Sequence, residues 1–365
     1  MEPSDIADRL VRVRAPVAEA GCGALLVTHL VNVRYLTGFT GSAAILLILP
    51  DEVVLTTDGR YRDQAAEQLG AAGVEARIEV RPTMGAQHEV LAGAAAGVAR
   101  LGLEADSVTW AQQRRFASEV FAAAELVATE GVVEELRRVK DGGEIERMAE
   151  AARIADDALA AVVPLLGQGV TEREVALGLD YEMRRLGADG SSFETIVASG
   201  PNGAKPHARP SDRRVEPGEL VVIDFGAIVD GYCSDMTRTF CVGEPSDDTA
   251  LRMVSVVKES QREGVAAVKA GVRGRDVDET CRAVIADAGW ADAFIHGTGH
   301  GVGLEIHEAP RVASTSDDVL AAGHVVTVEP GVYLAEHGGV RIEDTVVVTD
   351  DGCIVLTNAP KELLV

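Results

Sequence analysis

The 365-residue chain carries no CxxC pair among its five cysteines (Cys22, Cys233, Cys241, Cys281 and Cys353). That excludes a sulfur-rich zinc site, and the odd count favours reduced thiols over a disulfide framework. A basic excess is also missing: 34 Lys+Arg stand against 58 Asp+Glu, for a formal net charge of −24. Such a chain repels polyphosphate and anionic lipid, so neither a nucleic-acid nor a membrane partner is expected. There is no long apolar run either; the longest aliphatic stretch, residues 43–50, is too short for a bilayer and reads as a buried strand. Glu2, Asp5 and Asp8 stand where a secretory signal needs positive charge, and the expected compartment is the cytoplasm.

What remains is an ordinary globular composition, 47% hydrophobic and 25% charged. The length suggests two or three domains. The acidic charge reads first as a solvated surface. Residues 1–127 alternate apolar stretches at 24–28, 43–49 and 53–56 with amphipathic ones at 60–69 and 88–98, an α/β pattern with little chemistry in it. A linker is expected at 128–140. The second domain, 141–365, opens on Asp141 and Glu144 at capping-box spacing. Ile145, Met148, Ala152, Ala155, Leu159 and Val162 then recur on one helical face that stops at Pro164. Helices near 143–163 and 171–187, the latter behind a Thr171–Glu174 capping box, lead to a strand at 193–198 and a hairpin at 219–241. Helices near 249–270 and 276–288, the latter behind an Asp276–Glu279 capping box, lead to a strand near Phe294 and a hairpin at 324–349. Helix pair, strand and hairpin thus occur twice, and a site is expected between the two halves.

Six of the eight histidines fall between residues 207 and 337. A lone histidine is more often structural than functional, so the acids among them decide. In the first hairpin a turn at Asp230-Gly231 pairs position 224 with 237. Asp224 and Asp235 then become diagonal neighbours on one face, roughly 7–8 Å apart at the backbone. Val, Ile, Phe and Met flank them, and two carboxylates in such surroundings repel unless a cation sits between them. In the second hairpin Glu329 falls opposite Glu343, again within strands that otherwise favour burial. Between the hairpins, FIHGTGHGVGLEIHEAP sets His296, His300 and His307 among four glycines. No dinucleotide-binding unit surrounds these glycines, and Asp224-Phe225-Gly226 lacks the catalytic-loop and lysine motifs of a protein kinase. Four carboxylates with imidazole suit divalent Mn, Co or Zn, bound singly or as a pair.

These motifs, with EPGVY at 329–333 and GVRIEDT at 339–345, resemble the pita-bread metallopeptidases (peptidase family M24), in the branch of aminopeptidase P and prolidase. NVRYLTGFTGS at 32–42 and TDGRYRDQA at 57–65 resemble that branch's creatinase-type N-terminal domain. The resemblance implies an α+β / α/β chain: a creatinase-like α/β domain, then a pita-bread catalytic domain of duplicated helix-and-hairpin design. It implies Asp224, Asp235, His300, Glu329 and Glu343 as ligands of two divalent metal ions, with Mn favoured over Co or Zn. Glu329 would also act as general base, and His307 would stabilise the developing oxyanion. His207 would contact substrate, His296 would line the cleft, and Arg341 and Tyr333 would stand behind the ligands. The implied activity is a metal-dependent, proline-specific exopeptidase acting on small peptides with proline second. The aminopeptidase sense is narrowly preferred to the dipeptidase sense, and a non-catalytic scaffold of the same fold is the remote alternative. A homodimer is the family's usual assembly.

Overall fold

The structure is a computed structural model and describes residues 5–245, 247–362 and 364. The chain divides into two compact units, one running up to Arg137 and the other from Arg138 onward. Each has the architecture expected of it.

In the N-terminal unit six strands form one mixed sheet in the order Arg77–Val80, Val53–Thr57, Ala44–Ile48, Ala24–Val27, Arg100–Glu104 and Glu125–Thr129. The fully apolar strands Ala24–Val27 and Ala44–Ile48 are buried along their whole length and take the middle, as strands covered on both faces do. Leu91, Phe116 and Phe121 close part of one face. Helix Leu30–Thr37 stops on Gly38, whose φ of 74° closes the last turn in the left-handed region. Three strands went unmarked in the sequence: Arg77–Val80 and Glu125–Thr129 are the two edges, half exposed and mixed in polarity, while Arg100–Glu104 is an inner strand buried beyond Arg100, its short run interrupted by Gly102. The stretch expected as a linker is structured: the last strand runs to Thr129, and a short helix spans Glu134–Arg138. Arg137 on that helix is buried and donates to Asn32 Oδ1 at 2.8 Å.

In the C-terminal unit the Asp141 capping box forms and starts helix Gly142–Val162. Pro164 then falls in a tight 3₁₀ turn, because its ring cannot continue the helix. A second capping box at Thr171 starts Glu172–Arg185. This pair packs Ala155, Leu159, Leu179 and Met183 against Val221, Ile223 and Phe225 of one hairpin. The pair Asp248–Ala267 and Gly274–Asp287 packs Met253, Val257, Val277 and Ile285 against Val326, Val328 and Val346 of the other. The duplication is therefore real at the level of packing. Two details differ from expectation. Helix Gly274–Asp287 begins two residues early, without the Asp276 cap; Asp276 instead pairs with Arg273 at 3.0 Å. A Cβ on Gly274 would lie 2.1 Å from the Arg311 carbonyl, so the close approach of the chain there sets the helix start. No strand forms at Phe294, which follows the turn Ala291–Ala293; the strand comes later, at Gly299–Gly301. It fits between Glu308–Val312 and Val325–Val328 because a Cβ on Gly299 or Gly301 would fall within 2.0 Å or 2.3 Å of a neighbouring carbonyl.

Both hairpins keep the register read from the sequence. Asp224 pairs with Thr237 across Leu220–Phe225 and Met236–Cys241. The turn has φ of 45° at Asp230 and 75° at Gly231, as a two-residue primed turn requires. In the second hairpin, Val328 pairs with Asp344 and Gly331 with Arg341, which leaves Glu329 against Glu343. Among the described residues no helix is long and apolar enough to cross a membrane, and the five cysteines are free thiols.

Candidate active site

The two hairpins lie side by side. Glu343 N donates to Thr237 O at 3.1 Å, and Thr239 Oγ1 donates to Arg341 O at 2.8 Å. This lateral contact, made between residues a hundred positions apart, brings the four acids together. Asp224, Asp235 and Glu343 present oxygens that all lie within 4.8 Å of one another. Glu329 joins them through His300, whose Nε2 is 3.5 Å from Glu329 Oε1 and 3.6 Å from Asp235 Oδ2.

Burial and mutual repulsion act together on these groups. Burial raises the Asp235 carboxyl well above its ordinary value, with Glu343, Asp224 and Glu329 adding to the effect. Glu329 is raised in the same way, by burial and then by Glu343. Glu343 is pushed up to about 8 by burial and by Asp224. Few compensating bonds offset this. Thr237 Oγ1 donates to Glu343 Oε2 at 2.7 Å, and Arg341 Nη2 to Asp224 Oδ2 at 2.5 Å. The other oxygen of Asp224 is buried without a hydrogen-bond partner. Native proteins rarely leave such an atom unpaired.

His300 fits the same requirement. Its Nδ1 is 3.0 Å from the Gly301 carbonyl; a carbonyl only accepts, so Nδ1 carries the proton and Nε2 presents a lone pair. Burial lowers its pKa to about 4, which keeps the ring neutral at neutral pH. A lone pair aimed at two carboxylates needs a cation, or a proton held by one of the acids, between them. The donor set of oxygens plus one imidazole, the orphaned Asp224 oxygen and the His300 tautomer all fit divalent metal.

Around the acids, Arg341 is fully enclosed and links three groups: Asp224, Thr237 Oγ1 at 3.0 Å and the Tyr333 hydroxyl at 2.8 Å. Tyr333 in turn meets His296 Nε2 at 2.8 Å, while His296 Nδ1 faces the Gly297 carbonyl at 2.8 Å. His296 is thereby a neutral acceptor of the tyrosine proton, and burial, then the Arg341 charge, lowers its pKa to about 4. The exposed His307 packs edge-on to His300 with ring centres 4.3 Å apart. His207, also exposed, lies within electrostatic reach of His296 and His307. The remaining two histidines of the sequence cluster lie elsewhere: His324 accepts from Ala321 N, and His337 pairs with Asp247 at 3.0 Å.

Three contributors were not legible in the sequence. Thr237 and Thr327 touch the acids through hydroxyls, Thr327 Oγ1 donating to Glu329 at 3.4 Å and accepting from His300 N at 3.1 Å. Thr237 stands two residues after Asp235, a position sharing its face, and that spacing was the available signal. Asp278, fully buried on helix Gly274–Asp287, accepts from Thr298 N and Oγ1 at 3.0 and 2.9 Å. Its partner Arg282 donates to the carbonyls of Phe294 and His296. Together they fix the segment that carries His296 and His300; nothing local in the sequence marks that long-range contact.

Residues 146–350 match the model of metallopeptidase family M24, and residues 9–139 match the creatinase/prolidase N-terminal domain. The chain belongs to metallopeptidase family M24, and its class is that of a metal-dependent peptidase. It is 45% identical to the Xaa-Pro dipeptidase of Pyrococcus furiosus over 64% of this chain and 67% of that one. The structure resembles that of the Xaa-Pro dipeptidase from Bacillus anthracis with a TM-score of 0.94 at 41% identity, covering 99% and 100% of the two chains. It resembles the X-Pro aminopeptidase from Thermotoga maritima with a TM-score of 0.87 at 37% identity, covering 96% and 100%.

Proposed function

We propose that the protein is an Xaa-Pro dipeptidase, hydrolysing the bond before proline with the acid cluster as its metal centre. The observation that carries the hydrolytic reading is the convergence of Asp224, Asp235, Glu343, Glu329 and His300 with too few hydrogen bonds to balance their burial. These five residues would hold two divalent ions, Mn favoured over Co or Zn. When bound, such a pair neutralises the acids, makes water acidic enough to supply hydroxide near pH 7 and polarises a carbonyl. Glu329 takes the proton of the attacking water and passes it to the leaving proline nitrogen, which has no N–H of its own. His307, at the exposed edge beside His300, donates to the oxygen on which charge develops. His207 contacts the substrate, and His296 lines the cleft as an acceptor fixed by Tyr333. Arg341 holds Asp224 in place.

Dipeptide cleavage replaces the aminopeptidase sense that the sequence narrowly favoured, because relatives named for dipeptidase activity support it better. Cleavage of longer Xaa-Pro peptides is the second reading, supported by the likeness to the Thermotoga maritima enzyme. Turnover of an Xaa-Pro dipeptide is to be compared with that of the matching Xaa-Pro-Xaa tripeptide. A clear dipeptide preference is expected, and a tripeptide preference refutes the dipeptidase reading. A cytoplasmic homodimer acting on small peptides completes the proposal; light scattering on the purified protein tests the assembly.

A further inference from the structure

The segment that carries His207 is held in an unusual way. Among the described residues no hydrogen bond reaches the His207 ring, so its place depends on the backbone of residues 199–211. One side of that segment rests on the second hairpin. A Cβ on Gly339 would lie 2.0 Å from the Gly203 carbonyl, and one on Gly338 would lie 2.8 Å from that of Gly200. Near its tip, Arg341 Nη1 donates to the Pro206 carbonyl at 3.3 Å.

The other side closes on a carboxylate that bonds three residues of the loop, beside Arg213, whose Nη1 donates to Ser199 Oγ at 2.8 Å, and Arg173, whose N donates to the Ser211 carbonyl at 3.1 Å. Glu172, the first residue of helix Glu172–Arg185, is fully buried. Its Oε1 accepts from Ser199 N at 2.7 Å, Ser199 Oγ at 2.8 Å and Asn202 Nδ2 at 3.1 Å. Its Oε2 accepts from Ser211 N at 3.0 Å, Ser211 Oγ at 2.6 Å and Asn202 Nδ2 at 3.1 Å. The donors therefore come from both sides of His207, eight and five residues before it and four after. Burial favours the neutral acid, yet the bonds from Ser211, Ser199 and Asn202 outweigh it and keep the group below its ordinary value. A buried anion held this fully is a rigid clasp between the two ends of a loop.

We propose that Glu172 is a positioning residue for His207: its carboxylate ties Ser199, Asn202 and Ser211 together, and the loop so closed presents His207 to the substrate. This inference rests on the proposed peptidase function. A charge-neutral replacement of the same shape cannot substitute. Each oxygen accepts a backbone N–H, so whichever way the amide of Glu172→Gln turns, its NH2 faces one of those donors and leaves it unpaired.

The test compares E172Q, H207A and the double variant with the wild type, using an Xaa-Pro dipeptide on the metal-loaded enzyme and amide hydrogen exchange across residues 199–211. For E172Q, KM is expected to rise about tenfold with kcat within about twofold, the signature of lost substrate binding. In the H207A background the same change is expected to move KM less than about twofold, because the clasp acts through His207. Exchange at 199–211 is expected to quicken at least about tenfold while the hairpin amides stay protected. An unchanged KM in E172Q, or an equal rise in H207A, overturns the proposal. Should E172Q fail to fold, Ser211→Ala and Ser199→Ala each remove one hydroxyl donor to Glu172, together with the acceptor that hydroxyl offers Arg213, and leave the carboxylate itself in place. Each is expected to raise KM two- to threefold in the wild-type background alone, and unchanged KM in both overturns the proposal. If the wild type cleaves no Xaa-Pro peptide, the functional reading fails on its own, and unchanged exchange in E172Q then overturns the clasp separately.

Discussion

Removing metal from this site makes the fold sensitive to alkali, by an amount the acid cluster sets. Glu343 goes from an ordinary 4.5 to about 8 in the fold, so between those values the folded state holds a proton that the unfolded chain has released. Stability is therefore fully present below about pH 4.5 and is lost as pH rises through about 8. At 1.36 kcal/mol per pH unit, the gap corresponds to roughly 5 kcal/mol for this residue. Asp235 and Glu329 act in the same direction. The chain has two tryptophans, Trp110 and Trp290, so in a Trp110→Phe background the fluorescence of Trp290 reports the unit that holds the site. With a urea slope of about 2–3 kcal/mol/M, the midpoint of the chelated protein should fall by about 2 M between pH 5 and pH 8.5. Excess Mn2+ should cancel most of that fall, since ions that bind the ionised acids stabilise only the folded state. Glu343→Gln, which replaces the titrating group by a neutral one, should flatten the slope of the chelated protein. Equal slopes for wild type and Glu343→Gln after chelation would refute the reasoning, as would a midpoint indifferent to metal at pH 8.5.

Other expectations follow from the same geometry. Glu329→Ala should lower kcat on an Xaa-Pro dipeptide by at least about 10²-fold, the usual scale of a lost general base, and wild-type turnover in that variant would end the proposed mechanism. Arg238→Met removes one member of a pair with Asp344 that is 1% exposed on both sides, at 3.0 Å. It should cost about 3–5 kcal/mol, read as a lower urea midpoint, because the buried carbonyls of Thr237, Glu343 and Ala359 lose their donor and Asp344 keeps only Lys361 as a cationic partner. Gly226→Ala would place a Cβ 1.9 Å from the Ser234 carbonyl, where the first hairpin passes from one sheet to another. Soluble expression should collapse, and a folded variant with native melting would show that the hairpin can yield. Tyr333→Phe breaks the contact between Arg341 and His296; KM should rise several-fold with the metal content, measured by atomic emission, unchanged.

Much of the site was legible because it is built on hairpins, and a hairpin's register can be read from its turn. Asp230-Gly231 fixed the pairing of 224 with 237, and the alternation around 325–348 fixed 329 against 343. Capping boxes at Asp141 and Thr171 were equally local and appear as read. The misreadings share another cause. The edge strands Arg77–Val80 and Glu125–Thr129 have too few buried residues to show a period. The strand Gly299–Gly301 is almost without side chains and is held by the neighbours that its glycines admit. Phe294, apolar enough to suggest a strand, is buried under the Arg282 guanidinium instead.

The sequence by itself determined the identity of the donor groups, the two hairpins and the doubled order of helices and strands, because each depends on residues within a few positions of one another. Only the tertiary structure decided that the hairpins meet edge to edge through Thr237, Thr239, Arg341 and Glu343. It also decided that Asp224 keeps one oxygen unpaired, and that Glu172 and Asp278 anchor the segments carrying the histidines. Those contacts span tens to over a hundred residues and turn on burial and on the sign of neighbouring charges. No window of sequence contains both partners, so only the folded chain can set them.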